Sequence, residues 1–261
     1  MLLEVSIANF LSFKDEVALN MVPAKSRVMN EHIVTDKQGE RGKKTESLPL
    51  ALIYGANASG KSNLVKAIAF AQKLVLEGTR AGEKTGAVPH RLDPGSETAP
   101  SRFEFVFKHE GIVYTYGFVV SETAVEEEWL FAYYTSQESK LFERVTENGR
   151  TRVEPGPRLV QENEGAQFLE FVAKGTRPNQ LFVTEANDKN VSLVQPVVHW
   201  FRAHLTLITP DSKYLALALR ATKDKDFRAY LNDFLRIADT GIHGLRAQNE
   251  KLEAERHLDD L

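Results

Sequence analysis

The residues with the plainest chemical potential are Gly55, Ala56, Asn57, Ala58, Ser59, Gly60, Lys61, Ser62 and Asn63, the first eight of which satisfy G-x-x-x-x-G-K-[ST] at every fixed position. Glycines at 55 and 60 let the backbone curl so that successive N–H groups point at one phosphate-sized spot. A helix starting there adds the positive end of its dipole. In such a loop Lys61 reaches the β- and γ-phosphates of ATP, and the Ser62 hydroxyl ligates Mg²⁺.

Hydrolysis needs more than a cradle. A second apolar strand should end in an Asp that holds the metal through water, followed by a Glu that activates the attacking water. No four-residue apolar run followed by Asp-Glu exists in the chain. Asp211 in "LTLITPD" is the nearest imitation, but Pro210 and Ser212 suit a loop or N-cap. Gln180 in "NQLF" offers a candidate metal-contacting amide, although its residue type favours a surface position. The pattern therefore predicts half of a site, with phosphates and metal held and the water-activating acids missing.

Other constellations are weaker. The seven histidines show no H-x-x-x-H or H-E-x-x-H spacing, so no zinc site is expected. Glu126, Glu127 and Glu128 fall on a predicted strand, where neighbours point to opposite faces, and read as a solvated edge or a lobe contact. With no cysteine, disulfides, thiolate metal sites and cysteine nucleophiles are excluded.

The elements that must position the loop can be read from periodicity. "LPLALIY" (Leu48 to Tyr54) is apolar on both faces and predicts a central strand in a covered sheet. Leu64, Ala67, Ile68, Ala71 and Leu74 recur at helical spacing after the loop. Leu3, Val5 and Ile7 alternate, as do Val17, Leu19 and Met21, so "NFLSFKD" reads as a hairpin connection. Residues 23–47 and 78–100 read as loops. From Arg102 the period is two: Phe103, Phe105 and Phe107, then Ile112 to Val120, Val125 to Tyr133, Lys140 to Val145 and Arg150 to Val153. Asn148-Gly149 marks a hairpin turn, and the aromatic rows read as sheet packing rather than a base-stacking platform. Helical patterns follow over Phe168 to Lys174, Val191 to His204 and Asp224 to Ile237, with Leu205 to Thr209 as a short strand. Leu245, Leu252 and Leu258 hint at a terminal arm or coiled coil. The expected organisation is 1–100 for the N-terminal strands and loop core, 101–155 for an antiparallel meander lobe, and 156–261 for a mainly helical region.

A chain of 261 residues with 42% hydrophobic and 26% charged residues has the composition of a folded globular protein. Its net charge of -3 gives no polyelectrolyte signal, although Arg41, Lys43 and Lys44 form a basic loop cluster that leaves nucleic-acid contact open. No apolar run approaches the ~20 residues a membrane span needs. The first ten residues lack a basic leader, and the default expectation is a cytoplasmic protein without membrane partners.

"GANASGKSN" resembles the phosphate loop of ABC-type ATPases of the SMC, RecF and OLD groups more than that of AAA+ unfoldases or nucleotide kinases. "VSIANFLSFKD" resembles the I-x-N-F-x-S-F opening strand pair of the same proteins. "FEFVFKHEGIVYTYGFVVSETAVEEEWLF" and "RPNQLFVTEANDKNVSLVQPVVHWF" are similar to prokaryotic OLD-like ATPases that accompany phage-defence effectors, of the RloA and AriA kind. That resemblance implies an α/β P-loop head of the ABC type, with an antiparallel β-rich lobe and a helical region. It implies heads that form a homodimer or higher oligomer around ATP and Mg²⁺, switching an associated effector such as a nuclease. Ser12 and Phe13 are then expected, with Lys14, to border the adenine or ribose. The chain would be the N-terminal part of such a protein, its catalytic acids lying beyond. The alternative from the same resemblance is a SMC/RecF-like ATPase acting on DNA. A metabolite kinase fits less well, because a long meander follows the loop where acceptor and lid elements would stand.

Overall fold

A computed structural model describes residues 1–24, 30–36, 44–162, 166–209, 212, 215–239 and 241–246. By internal contacts the chain divides into two units, Met1–Leu207 and Ile208–Leu261.

The first unit is built on one seven-stranded sheet. Strand β1 (Leu2–Ala8) pairs with β2 (Val17–Asn20) on one side and with β5 (Ser101–His109) on the other. The sheet continues through β6 (Ile112–Val120), β7 (Val125–Tyr133), β8 (Ser139–Glu147) and β9 (Arg150–Pro155), every pair antiparallel. The period-two segments are thus the strands expected of them. The opening hairpin and the meander, however, form one continuous sheet: Val5 pairs with Phe105 across nearly a hundred residues of chain. A separate two-stranded ladder, β3 (Val34–Asp36) with β4 (Thr45–Ser47), lies in the segment read as loop.

Alternation decides which face is covered. Val5, Phe105, Tyr116, Leu130 and Phe142 stand opposite one another in register, and all are fully buried. On the other face Ser6, Glu104, Gly117, Trp129, Glu143 and Glu154 form a polar row. Within it the indole of Trp129 lies over Gly117, where a Cβ would fall 2.3 Å from the ring. Helix α1 (Lys61–Glu77) buries Ala67, Ile68, Ala71, Leu74 and Val75 in the same core. After a single turn α2 (Pro94–Glu97), the helices α3 (Pro157–Glu162), α4 (Ala166–Gly175), α5 (Phe182–Asp188) and α6 (Gln195–Ala203) follow the meander. Trp200 and Phe201 of α6 meet the aromatic row, Trp200 stacking on Phe107 at 4.1 Å between centroids and Phe201 meeting Phe105 edge-on at 5.0 Å. The aromatics are packing, as the alternation implies.

Two expected strands differ. Leu48 to Tyr54 forms no ladder; its neighbour-seeking backbone keeps one bond, Leu48 N–H to the Met21 carbonyl. The run makes only this contact beside β2, the edge strand of the sheet, and does not extend the ladder. Its side chains therefore stand in solvent, with Leu52 79% and Tyr54 94% exposed. Leu205 to Thr209 is likewise outside any strand, because its start is taken up by the end of α6: Leu205 N–H bonds the Trp200 carbonyl and Gln72 Nε2 donates to the Leu205 carbonyl.

The acidic run also departs from expectation. Glu128 is on the covered face and is buried, opposite Arg144 in register. Its carboxylate accepts from Arg144 Nη1 (3.3 Å), Tyr116 Oη (3.0 Å), and the N–H groups of Phe182 (2.6 Å) and Val183 (2.9 Å). It thus caps the start of α5 from a neighbouring strand, at the helix end where negative charge is favoured. Burial pushes the Glu128 carboxyl up, while Arg144 and these donors oppose that rise. Arg144 donates onward to the carbonyls of Arg177, Pro178 and Gln180, tying the whole "RPNQLFVTE" segment to the sheet.

The second unit contains α7 (Leu215–Lys223) and α8 (Lys225–Ile237). Asp224 caps α8 by accepting the Phe227 N–H at 2.9 Å. Asp211, Arg41, Lys43, Leu252 and Leu258 lie outside the described residues. Lys44, the remaining member of the basic cluster, pairs with Glu46 at 2.7 Å.

Candidate nucleotide site

The glycine-rich loop opens directly onto α1. Gly60 takes a left-handed conformation (φ 93°) as the N-cap, and its carbonyl receives the N–H groups of Asn63 and Leu64. Only glycine fits there: a Cβ would also meet Ser12 Oγ at 2.7 Å. Ala58 is left-handed too (φ 63°), giving the curl that turns the loop back on itself. Lys61 Nζ reaches back to the carbonyls of Gly55 (2.8 Å) and Ala56 (2.7 Å), with Ser59 Oγ at 3.5 Å. The lysine thus sits across the mouth of the loop on contacts that an incoming phosphate can replace. Ser62 follows on the exposed first turn of α1, a turn without acidic residues. A 17-residue helix with an open, acid-free N-terminus is a ready anion site.

What holds this loop in place is the hairpin connection between β1 and β2. Asn9 is buried and left-handed (φ 49°). Its Nδ2 donates to the carbonyls of Ser96 (2.9 Å), Ala99 (2.8 Å) and Pro100 (3.2 Å), and its Oδ1 accepts the His90 N–H (3.1 Å). Phe10 stacks on Phe70 of α1 at 5.1 Å and meets Phe103 of the sheet at the same distance. Ser12 and Phe13 are thereby presented to Gly60, and Lys14 is tied to Asp93 at 3.1 Å. Sequence reasoning singled out Ser12 and Phe13 but missed Asn9, the residue that anchors them. Its partners are some 80 to 90 residues away, and the only local signal was an Asn between two strands. Asn9→Ala should cost about 1–3 kcal/mol by leaving the His90 N–H and three carbonyls without their partner. The denaturation midpoint followed by Trp fluorescence measures that loss.

Between hairpin and loop lies a cavity of about 290 Å³, with Phe13, Val17, Leu19, Ile53, Tyr54 and Lys61 in its wall. Its lining is largely apolar apart from the loop, which suits the flat face of a base. Ala56, Asn57 and Ser59 complete the exposed outer surface of the loop. Gln180 does not approach this place. It is buried at the opposite end of α1, its Oε1 accepting the Thr79 N–H at 2.8 Å. That end is about 25 Å from Ser62 along a 17-residue helix. A Cβ on Gly78 would strike the Gln180 amide, so the glutamine is a lock on the helix C-terminus, not a surface residue or a metal contact.

A curled glycine loop, a lysine reaching back across its mouth and the helix that follows are the parts of a P-loop ATPase of the AAA/ABC type. A family model described as "AAA domain, putative AbiEii toxin, Type IV TA system" matches residues 50–261, most of the chain, and the protein belongs to that family. A comparison with curated proteins finds no match. Among the described residues no helix is long and apolar enough to cross a membrane.

Proposed function

We propose that this chain is the ATP-binding half of an ABC-type head that works as a nucleotide-dependent switch for an associated effector, a nuclease of the antiviral kind. The observation that carries the nucleotide part is the Gly60–Lys61 turn, buttressed by Ser12 and open to solvent at the N-terminus of α1. Gly55 to Gly60 would supply backbone N–H groups to the phosphates, Lys61 an ammonium to the terminal ones, and Ser62 a hydroxyl to Mg²⁺. Phe13 and the cavity beside it would take the base or sugar. Bound Mg²⁺ would neutralise charge on the terminal phosphates. The toxin–antitoxin wording of the family description is compatible with a defence role.

The exposed run from Leu50 to Tyr54 supports a head that is completed by strands from outside the described residues. The water-activating acids would arrive with those strands. A switch of this kind pairs its heads around ATP, so sedimentation of the chain with Mg²⁺ and a slowly hydrolysed ATP analogue should show a nucleotide-dependent rise in mass. Unchanged mass at saturating nucleotide would count against the pairing. Salt-sensitive retention on DNA would instead favour the DNA-acting alternative.

A further inference from the structure

The seven histidines are dispersed along the chain, yet three of them meet. His109 ends β5, His199 is on α6 and His204 is the C-cap of α6. Their ring centroids are 5.1, 4.9 and 5.5 Å apart, and one nitrogen from each ring lies within 4.8 Å of the other two. We propose that His109, His199 and His204 form a binding site for one divalent transition-metal ion of the zinc class.

The geometry is close to that of a metal site. Nitrogens bound tetrahedrally at about 2.0–2.1 Å sit about 3.3 Å from one another. His109 Nε2 and His199 Nδ1 are already 3.1 Å apart. The remaining closure falls to His204, whose side chain is solvent-exposed and stands at a helix end where rotamer change is cheap. Imidazole donors without thiolates suit Zn²⁺, Ni²⁺ or Cu²⁺ rather than Mg²⁺. The Glu110 carboxylate, 3.7 Å from His109 Nε2, offers an oxygen for a fourth position.

A hydrogen bond between two neutral rings accounts for His109 and His199 but leaves the third ring without a reason to converge.

The site would clip the β5–β6 turn to the end of α6. Helix α6 is in turn bound to α1, since Gln72 Nε2 donates to the carbonyls of Phe201 (2.7 Å) and Leu205 (2.6 Å). A metal here would stiffen the support of the P-loop helix from the end remote from the phosphates, independently of whether nucleotide is bound.

The test uses tag-free chain stripped with chelator and titrated with Co²⁺, then Zn²⁺. One equivalent of Co²⁺ should give a visible absorption band that Zn²⁺ displaces, together with a rise in melting temperature. His199→Ala/His204→Ala changes only exposed side chains and should weaken binding at least about 10–100-fold, since loss of mere outer-shell partners already costs that much. Lys61→Ala should leave the band intact, which separates this site from the nucleotide site. No band at one equivalent, or equal affinity in the double variant, would overturn the assignment.

Discussion

Glu128→Ala is expected to remove about 3–5 kcal/mol of folding stability, because it strands a buried guanidinium. That is a large share of the roughly 5–15 kcal/mol a domain commonly has. The loss has three parts. Arg144 keeps its carbonyl partners but loses its counter-charge. The Phe182 and Val183 N–H groups at the start of α5 lose their acceptor, and Tyr116 loses the oxygen its hydroxyl bonds. Denaturant unfolding followed by Trp129 and Trp200, the two tryptophans of the chain, should show the lower midpoint. Pairing Glu128→Leu with Arg144→Met should recover part of the deficit, because two apolar side chains leave no buried charge alone. A single-variant loss under about 1 kcal/mol would mean the pair is not the anchor the geometry makes it.

The second large effect is on ligand binding. Lys61→Ala should weaken Mg-ATP binding by roughly 10- to 100-fold, the worth of about 1.5–3 kcal/mol for hydrogen bonds from a charged donor. It should leave the fold nearly untouched, since Lys61 lies at the surface and its partners are loop carbonyls that water can satisfy. The contrast with Glu128→Ala is informative: one variant binds poorly and folds well, the other does the reverse until it unfolds. Affinity measured by fluorescence of a labelled ATP analogue, beside a melting curve, separates the two.

Much of this architecture is legible in the sequence alone. Phe103, Phe105 and Phe107 alternate so regularly that strand and buried face follow together, and Asn148-Gly149 takes positive φ at both residues, as a tight hairpin demands. The loop and the helix after it were legible because each residue type there answers a single physical requirement. What stayed hidden depends on partners distant in sequence. An apolar run such as Leu48 to Tyr54 looks like a buried strand, but a strand also needs a neighbouring backbone along its length, and beyond the Leu48–Met21 bond the run forms no ladder with the described residues. Helix α5 escaped notice because its seven residues carry little periodicity and its N-terminus is capped by Glu128 from β7. Gln180 was misplaced for the same reason: its buried partners at Gly78 and Thr79 are about a hundred residues earlier. The three histidines converge only because the end of β5 packs beside the end of α6, which no local spacing encodes.

On the function proposed above, Gly55 to Ser62 hold a nucleoside triphosphate and its metal, while the acids needed to cleave it come from elsewhere. Equilibrium dialysis of the chain against Mg-ATP reads both halves of that claim at once, since bound nucleotide can be counted and its chemical state determined. The expected result is about one nucleotide retained per chain, recovered as triphosphate, with retention lost in Lys61→Ala. Retention of no nucleotide would contradict the cradle, and steady accumulation of diphosphate that disappears in Lys61→Ala would contradict the missing acids.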